Sequence, residues 1–544
     1  MFNGARQARC RLLLPPIPAE NSASSKKIVM SADTHFTHSR EPAAPAKKSA
    51  LQVLLTVSGL VGVVVLFARD EFNQRPQLLP AAMPDAAEAS ESRLAALTAE
   101  ENLLQIATEV QEPELVEPEP QETAPEVPVV DEVPVPTHRA TNSIKSMRHV
   151  APVHEQMVTP GNFEYLGAFR PPHTDDRKMP FSYGGWALAF HERGDGSGDQ
   201  DGYSGSLLLT GHRQEDLVAE ISIPQPVISR SMDELPVASV LQPLSDITAG
   251  IREYMTQGSS EPFQIGGLCV VGDRVHWTLY KYYNVETVDY PSHGVSSLSL
   301  SDPKPEGLWH LGPSNTGRSE WHSYKHAGYI FEIPPDQAQQ WWFGGRSLIS
   351  GLQIATGLNI ASHGPAMFAY NLPEGNASKN RDLDALPLVY NDIARPAPDF
   401  VPSDRWTGGA WLTLNDKHTV IIVGRKSLGE SYYGEARPHD CSSDKGYHGA
   451  PYEAQIRFYA PQLLAATAAR KTDPTSVVPW DVWDHDSPGG GFHRYLFPTC
   501  NQLLGGLAYD RKNNLLYVVQ IDAGTTIDQP YELLPAIHVF RIIS

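Results

Sequence analysis

Residues 184–190 read GGWALAF, and the same opening returns as GGLCVV from Gly266, AGYIFEI from Ala327, GGAWLTL from Gly408 and GGLAYD from Gly505. Each copy is a small-residue start, an apolar strand, a turn and two further apolar strands ending near a Pro. Self-similarity at blade-sized spacing predicts an all-β fold, a β-propeller of five blades. Second strands are expected at SLLLTG from Ser206, VHWTLY from Val275, WWFGG from Trp341, TVIIVG from Thr419 and LLYVVQ from Leu515. Third strands follow at LVAEISI from Leu217, VSSLSL from Val295, AMFAYNL from Ala366, AQIRFYA from Ala454 and IHVFRI from Ile537. Gly272-Asp273, Asn415-Asp416 and Asn513-Asn514 supply the first hairpins, because these residues tolerate positive φ.

Outer strands are weaker: SVLQPL from Ser239, GLWHL from Gly307, LPLVY from Leu386 and WDVWD from Trp480. The fifth is missing after Ser544, while an orphan, FEYLGAFR from Phe163, precedes the first repeat. Pairing the two closes the ring and removes exposed sheet edges.

The N-terminal third differs in kind. Residues 51–68, LQVLLTVSGLVGVVVLFA, carry no charge and are just long enough to cross a hydrocarbon core as one helix. A cleaved signal peptide is the rival, but the run is distant from the N-terminus and lacks a clean small-residue cleavage site. Residues 1–69 hold nine Lys/Arg against three Asp/Glu. That bias predicts a cytoplasmic segment 1–50, a transmembrane helix 51–68, a single pass through an inner membrane, and a periplasmic remainder. Residues 69–150, with ELVEPEPQETAPEVPVVDEVPVP, cannot bury enough apolar surface to fold and suit a disordered acidic, Pro-rich spacer. The propeller is expected over 155–544. Of the net charge of −20, residues 70–137 of the spacer hold 16 Asp/Glu against two Arg, offset in part by the basic N-terminal segment. What remains is ordinary solubility charge, which argues against nucleic acid as a partner.

In a four-stranded meander, the second-to-third connections and the segments leading into the next inner strand share one face. The first set holds His212, Tyr282, Arg346, Arg425 and Asp522; the second holds Tyr183, Gln264, Lys325-His326, Arg405-Trp406 and Asn501-Gln502. Loops are polar anyway, so some of these groups are expected only to face water. Their recurrence at one place in every blade points to a ligand face. Guanidinium forks match carboxylate and sulfate, and flat rings stack on sugars, so the expected ligand is an anionic polysaccharide or envelope component. The fourth repeat has a long second-to-third connection from Gly424 to Tyr452 carrying Lys445, Tyr447 and His448, and loops of that length are usually functional.

For a lyase, His212, Tyr282 and His448 are the candidate proton-transfer groups. Arg346, Arg425, Lys445, Trp406 and Asn501 are the candidate substrate-binding groups. A glycoside hydrolase would need two carboxylates from Glu261, Asp404 and Asp522. A non-catalytic module holding an envelope glycan or protein is the alternative from another class. Cys10 precedes the span and Cys269 sits in an inner strand, which leaves Cys441 and Cys500 to pair on the ligand face. No cofactor is expected. Asp195, Ser197, Asp199 and Asp201 resemble the start of a calcium loop, so Asp195, Asp199 and Asp201 are the candidate ligands of a structural calcium, although position twelve is Ser206 rather than Glu. The phrases FEYLGAFR, SYGGWALAF, LLLTGH followed by AEISIP, and KGYHGAPYEAQIRFYAP resemble a group of bacterial exported β-propeller proteins of unassigned activity, over roughly 163–542. That resemblance implies the propeller and no activity.

Overall fold

The computed structural model of the chain describes residues 156–172, 181–196, 202–257, 261–282, 289–314, 321–354, 362–371, 382–442, 445–525 and 533–544. The expected span at 51–68, the spacer at 69–150, and Ser197, Asp199 and Asp201 of the calcium-like hairpin all lie outside these residues. Among the described residues no helix is long and apolar enough to cross a membrane, and no cluster of His, Cys, Asp and Glu could hold a metal ion.

Five antiparallel four-stranded blades follow one another along the chain. Blade 1 is Leu188–His191, Gly202–Thr210, Val218–Pro224 and Val240–Ser245; blade 2 is Phe263–Val271, Arg274–Lys281, His293–Ser297 and Glu306–Leu311. Blade 3 is Ile330–Glu332, Leu348–Ser350, Met367–Tyr370 and Ala385–Val389; blade 4 is Arg405–Leu414, Lys417–Ser427, Tyr452–Tyr459 and Asp481–Trp483. Blade 5 takes Leu504–Asp510, Leu515–Gln520 and Ala536–Ile542 from the C-terminus and its outer strand, Phe163–Phe169, from the start of the domain. Phe163 faces Ile542 and Phe169 faces Ile537 across that antiparallel pair, so the orphan strand does close the ring. An unexpected fifth strand, Asp382–Leu383, lies parallel on the edge of blade 2.

The repeated glycines have a common cause. A Cβ on Gly505 would strike the Gly185 carbonyl, and one on Gly266 would strike that of Ala327. Inner strands of neighbouring blades therefore meet backbone to backbone at the axis; Gly506 N donates to Gly185 O at 2.8 Å. Farther out, side chains fill the widening gap. Strand alternation sends Ile421 and Val423 into the core shared with blade 5, and Val420 and Ile422 into the core shared with blade 3.

Blade 3 corrects the sequence expectation. Residues 341–345, WWFGG, do not form its second strand, which is Leu348–Ser350. Gly344 and Gly345 both take left-handed φ, 63° and 74°, which ends any extended run and makes a turn. Trp341 and Phe343 instead pack on Trp411, with ring centroids 5.9 and 5.7 Å away. The aromatic run thus supplies packing rather than ladder.

Ring closure rests on Phe163, whose ring meets Trp483 at 5.2 Å and Phe458 at 6.0 Å in edge-to-face geometry. Phe163→Ala is expected to cost about 3–5 kcal/mol. Thermal unfolding of the full chain reads this as a lowered Tm, and an unchanged Tm would show that closure does not bear on stability.

Several histidines are buried and neutral. Burial pushes His276 and His326 down to about 4 and His538 to about 3, and holds His293 well below the ordinary imidazole value. Between about pH 6.5 and 4 the unfolded chain binds more protons than the folded one, so stability is full above 6.5 and is lost as the pH falls. Each of the first two contributes on the order of 3 kcal/mol to that loss. Asp216, whose buried carboxyl is raised to about 7, works in the opposite sense over the same range, so urea denaturation at stepped pH is expected to give a midpoint that falls below pH 6.5 by less than the histidines alone require; a midpoint that rises towards pH 4 would contradict the buried-neutral assignment.

Candidate functional site

Loops from blades 1, 2, 4 and 5 surround a cavity of about 790 Å³ at one end of the ring. Blade 3 contributes no lining residue among those described. Of the candidates drawn from the sequence, His212, Tyr282, Arg425, Lys445, His448 and Asn501 line this cavity. Arg346 and Trp406 do not.

Arg346 is displaced because the second strand of blade 3 begins after it, not before it. It sits in the first-to-second connection, where it donates to the Asp384 carbonyl at 3.2 Å and pairs with the Asp384 carboxylate at 2.6 Å. Trp406 is turned away by an irregularity between Trp406 and Gly408 that reverses the side-chain alternation. Its ring is fully buried between blades 3 and 4, with the Arg457 guanidinium 4.0 Å above it. The same irregularity turns Arg405 into the cavity in its place.

Arg405 stands directly opposite Arg425 across the first and second strands of blade 4. Like charges at such positions repel. Arg425 is 3% exposed, stacks on Tyr452 at 3.9 Å and reaches the Asn501 carbonyl at 3.5 Å, while its Nε has no partner. Burial, and then the Arg405 charge, push its guanidinium down to about 10. Asn501 Oδ1 is likewise buried without a partner. Among the described residues no carboxylate lies within ion-pair distance of Arg213, Arg405 or Arg425.

One position along both strands the charges are compensated. Lys426 Nζ sits 2.9 Å from both oxygens of buried Asp404, which also accepts from Ser427 N at 2.8 Å. This ion pair ties together the strand ends that carry Arg405 and Arg425. Asp404 is thereby committed to structure. Asp522 is committed too, taking Thr499 Oγ1 at 2.7 Å and Leu503 N at 3.2 Å; burial raises its carboxyl. Only Glu261 of the three hydrolase candidates lines the cavity, so the carboxylate pair that hydrolysis needs is not assembled among the described residues.

On the wall formed by blades 1 and 2, Arg213 donates through Nε to Gln264 Oε1 and through Nη2 to Tyr280 OH, both at 2.9 Å. Its guanidinium lies 4.4 Å from the Trp186 ring and 5.5 Å from that of Tyr282. Beneath it Asp216, buried and accepting from Ile265 N, has its carboxyl pushed up to about 7 by burial. His212 packs on Tyr183 at 5.3 Å, and its Nδ1 accepts from Gln214 N at 3.2 Å. The neutral imidazole therefore carries its proton on Nε2. His448 has the converse arrangement, with Nε2 donating to Gly434 O at 3.2 Å.

His448 belongs to a two-stranded flap, Tyr432–Gly434 paired with Gly446–His448, in the long connection of blade 4. Tyr432 bonds Asp440 and carries Arg437 at 3.7 Å over its ring, and a Cys441–Cys500 disulfide with Cα atoms 5.4 Å apart ties the flap to the loop before blade 5. Tyr282 OH lies close to Gly446, where a Cβ would stand 3.2 Å from it. Arg405, read from the sequence among the incoming-loop residues of the ligand face, does line the cavity, whereas Arg213 and Trp186 had no individual signal in the sequence beyond their neighbours in the mouth loops.

No protein-family model and no curated relative matches the chain. Among solved structures, an exo-inulinase from Aspergillus awamori aligns at 10% identity over 69% of this chain and 62% of its own, with a TM-score of 0.31. A structure from the GH130 family of mannoside phosphorylases aligns at 10% identity over 71% of this chain and 96% of its own, TM-score 0.34. The β-propeller domain of Myceliophteria thermophila Cps50 (Swd1) aligns at 8% identity over 62% and 67%, TM-score 0.23. The chain spans 62% of the length of the inulinase it matches. The chain is thus a five-bladed β-propeller by its own strand pairing.

Proposed function

We propose that the propeller binds an anionic glycan at the ring mouth and cleaves it by β-elimination. One observation carries the reading: half-buried Arg405 faces buried Arg425 with no carboxylate within ion-pair distance among the described residues. A uronate carboxylate or a sulfate between the two forks relieves their repulsion and gives the partnerless Arg425 Nε an acceptor. Tyr282, Tyr447 and Tyr452 line the same cavity and offer faces and hydroxyls to sugar rings.

For elimination, the arginines neutralise the uronate carboxylate and so stabilise the enolate formed at the adjacent carbon. His448, whose Nδ1 keeps its lone pair in the tautomer its Nε2 bond to Gly434 O selects, takes the proton α to the carboxyl; the C–H electrons become the new C=C bond as the C–O bond to the leaving sugar breaks. That oxygen takes the hydroxyl proton of Tyr282, and the His448 imidazolium then returns its proton to the tyrosine oxygen, which restores both groups. The chemistry calls for no metal. Residues 51–68 serve in this reading as a single membrane anchor and 69–150 as a spacer, with the propeller in an oxidising periplasm that suits the Cys441–Cys500 bond.

Full-length protein in detergent, titrated with a polyuronate and with a neutral glucan, is expected to bind only the first, more weakly as salt rises. Arg405→Gln removes a charged hydrogen-bonding partner and is expected to weaken that binding roughly 10- to 100-fold. Equal binding of both polymers would sink the assignment. Growth of the ultraviolet absorbance of an unsaturated uronate measures turnover, which Tyr282→Phe is expected to abolish with binding retained. Binding by wild type without any absorbance growth would leave a holding module and reject the lyase step.

A further inference from the structure

Arg213 sits on a different wall from the Arg405–Arg425 pair. Blade 1 supplies it and blade 2 anchors it, whereas the pair belongs to blade 4, and blades 1 and 4 are not neighbours in the ring. Its guanidinium is also fixed before any ligand arrives. Two of its five N–H groups are spent on Gln264 and Tyr280, and its plane is held by the Trp186 and Tyr282 rings. The remaining donors border the cavity, with no carboxylate in ion-pair range among the described residues. Its hydrogen-bond partners Gln264 and Tyr280 are neutral and the buried Asp216 beneath it makes no ion pair with it, so this guanidinium at the edge of a cavity is an anion site in waiting.

We infer that the mouth holds two separate anion subsites, Arg405–Arg425 on blade 4 and Arg213 on the wall of blades 1 and 2, so that the ligand is an oligosaccharide charged on at least two sugar units. This rests on the anionic-glycan reading above and narrows it to a class of substrate. The cavity of about 790 Å³ lies within the range that encloses a drug-sized molecule and exceeds what one sugar occupies. Aromatic groups on both walls, Tyr282 beside Arg213 and Tyr452 beneath Arg425, accompany each charge. A single uronate satisfies one subsite and leaves the other empty; joining two charged units makes the second capture intramolecular.

Calorimetric titration of the full-length protein with mono-, di- and triuronate tests the inference. Affinity is expected to rise tenfold or more between the monomer and the longer ligands. Arg213→Gln is expected to lose roughly tenfold in triuronate affinity and less than about twofold in monouronate affinity, because the monomer settles at the blade 4 pair. Arg213→Lys keeps the charge and the stem packed on Trp186 without the fork, and serves if the Gln variant does not fold; it is expected to lose affinity in the same direction by less. Equal affinity for mono- and triuronate, unaltered by either variant, would overturn the second subsite while leaving the anionic-glycan reading in place. Failure of every length to bind would overturn both.

Discussion

Backbone meets backbone at the axis of this ring, and the glycines at the starts of the inner strands are the condition for it. With Gly505 against the Gly185 carbonyl and Gly266 against that of Ala327, the inner strands sit closer than any side chain allows. The outer strands must then splay, and apolar residues fill the wedge between blades. One consequence is topological: the second-to-third connections and the incoming loops all emerge at the same end. Another is that the ring must close, which the strand Phe163–Phe169 does by pairing with the last strand of the domain.

That geometry sets the electrostatics of the mouth. The strand ends that converge there bring Arg405 opposite Arg425, a repulsive arrangement in a site largely withdrawn from water. The neighbouring Asp404–Lys426 ion pair points to the other face of the sheet and braces the strand ends without neutralising the arginines. On the flap, the Cys441–Cys500 bond holds Lys445, Tyr447 and His448 at the rim. The fold therefore maintains, at a cost, charges that its own carboxylates leave unpaired, and such strain concentrates where a ligand completes the site.

How much of this was legible in the sequence depended on whether backbone alternation ran unbroken. The repeats, the hairpin turns and the displaced outer strand followed from periodicity alone, since each blade must bury both faces of its sheet. WWFGG misled because its apolar run satisfies a strand pattern while Gly344 and Gly345 take left-handed φ that no strand continues. Arg346 was misplaced with it. Trp406 was misplaced for a related reason: one irregularity exchanges the faces of Trp406 and Arg405, and nothing in the letters marks it. Arg213 is set by contacts to Gln264 and Tyr280 on the next blade, which sequence neighbours do not reveal.

The central claim is that Arg425 is kept for a ligand and not for the fold. Arg425→Met preserves the length of the stem and its packing on Tyr452 while removing the charge. If the claim holds, thermal unfolding of the full-length variant without ligand gives a Tm equal to or above that of the wild type, because a buried unpaired charge has been replaced by apolar surface. Polyuronate, expected to raise the Tm of the wild type, should then no longer raise that of the variant. A marked fall in Tm without ligand, with the polyuronate-dependent rise intact, would contradict it.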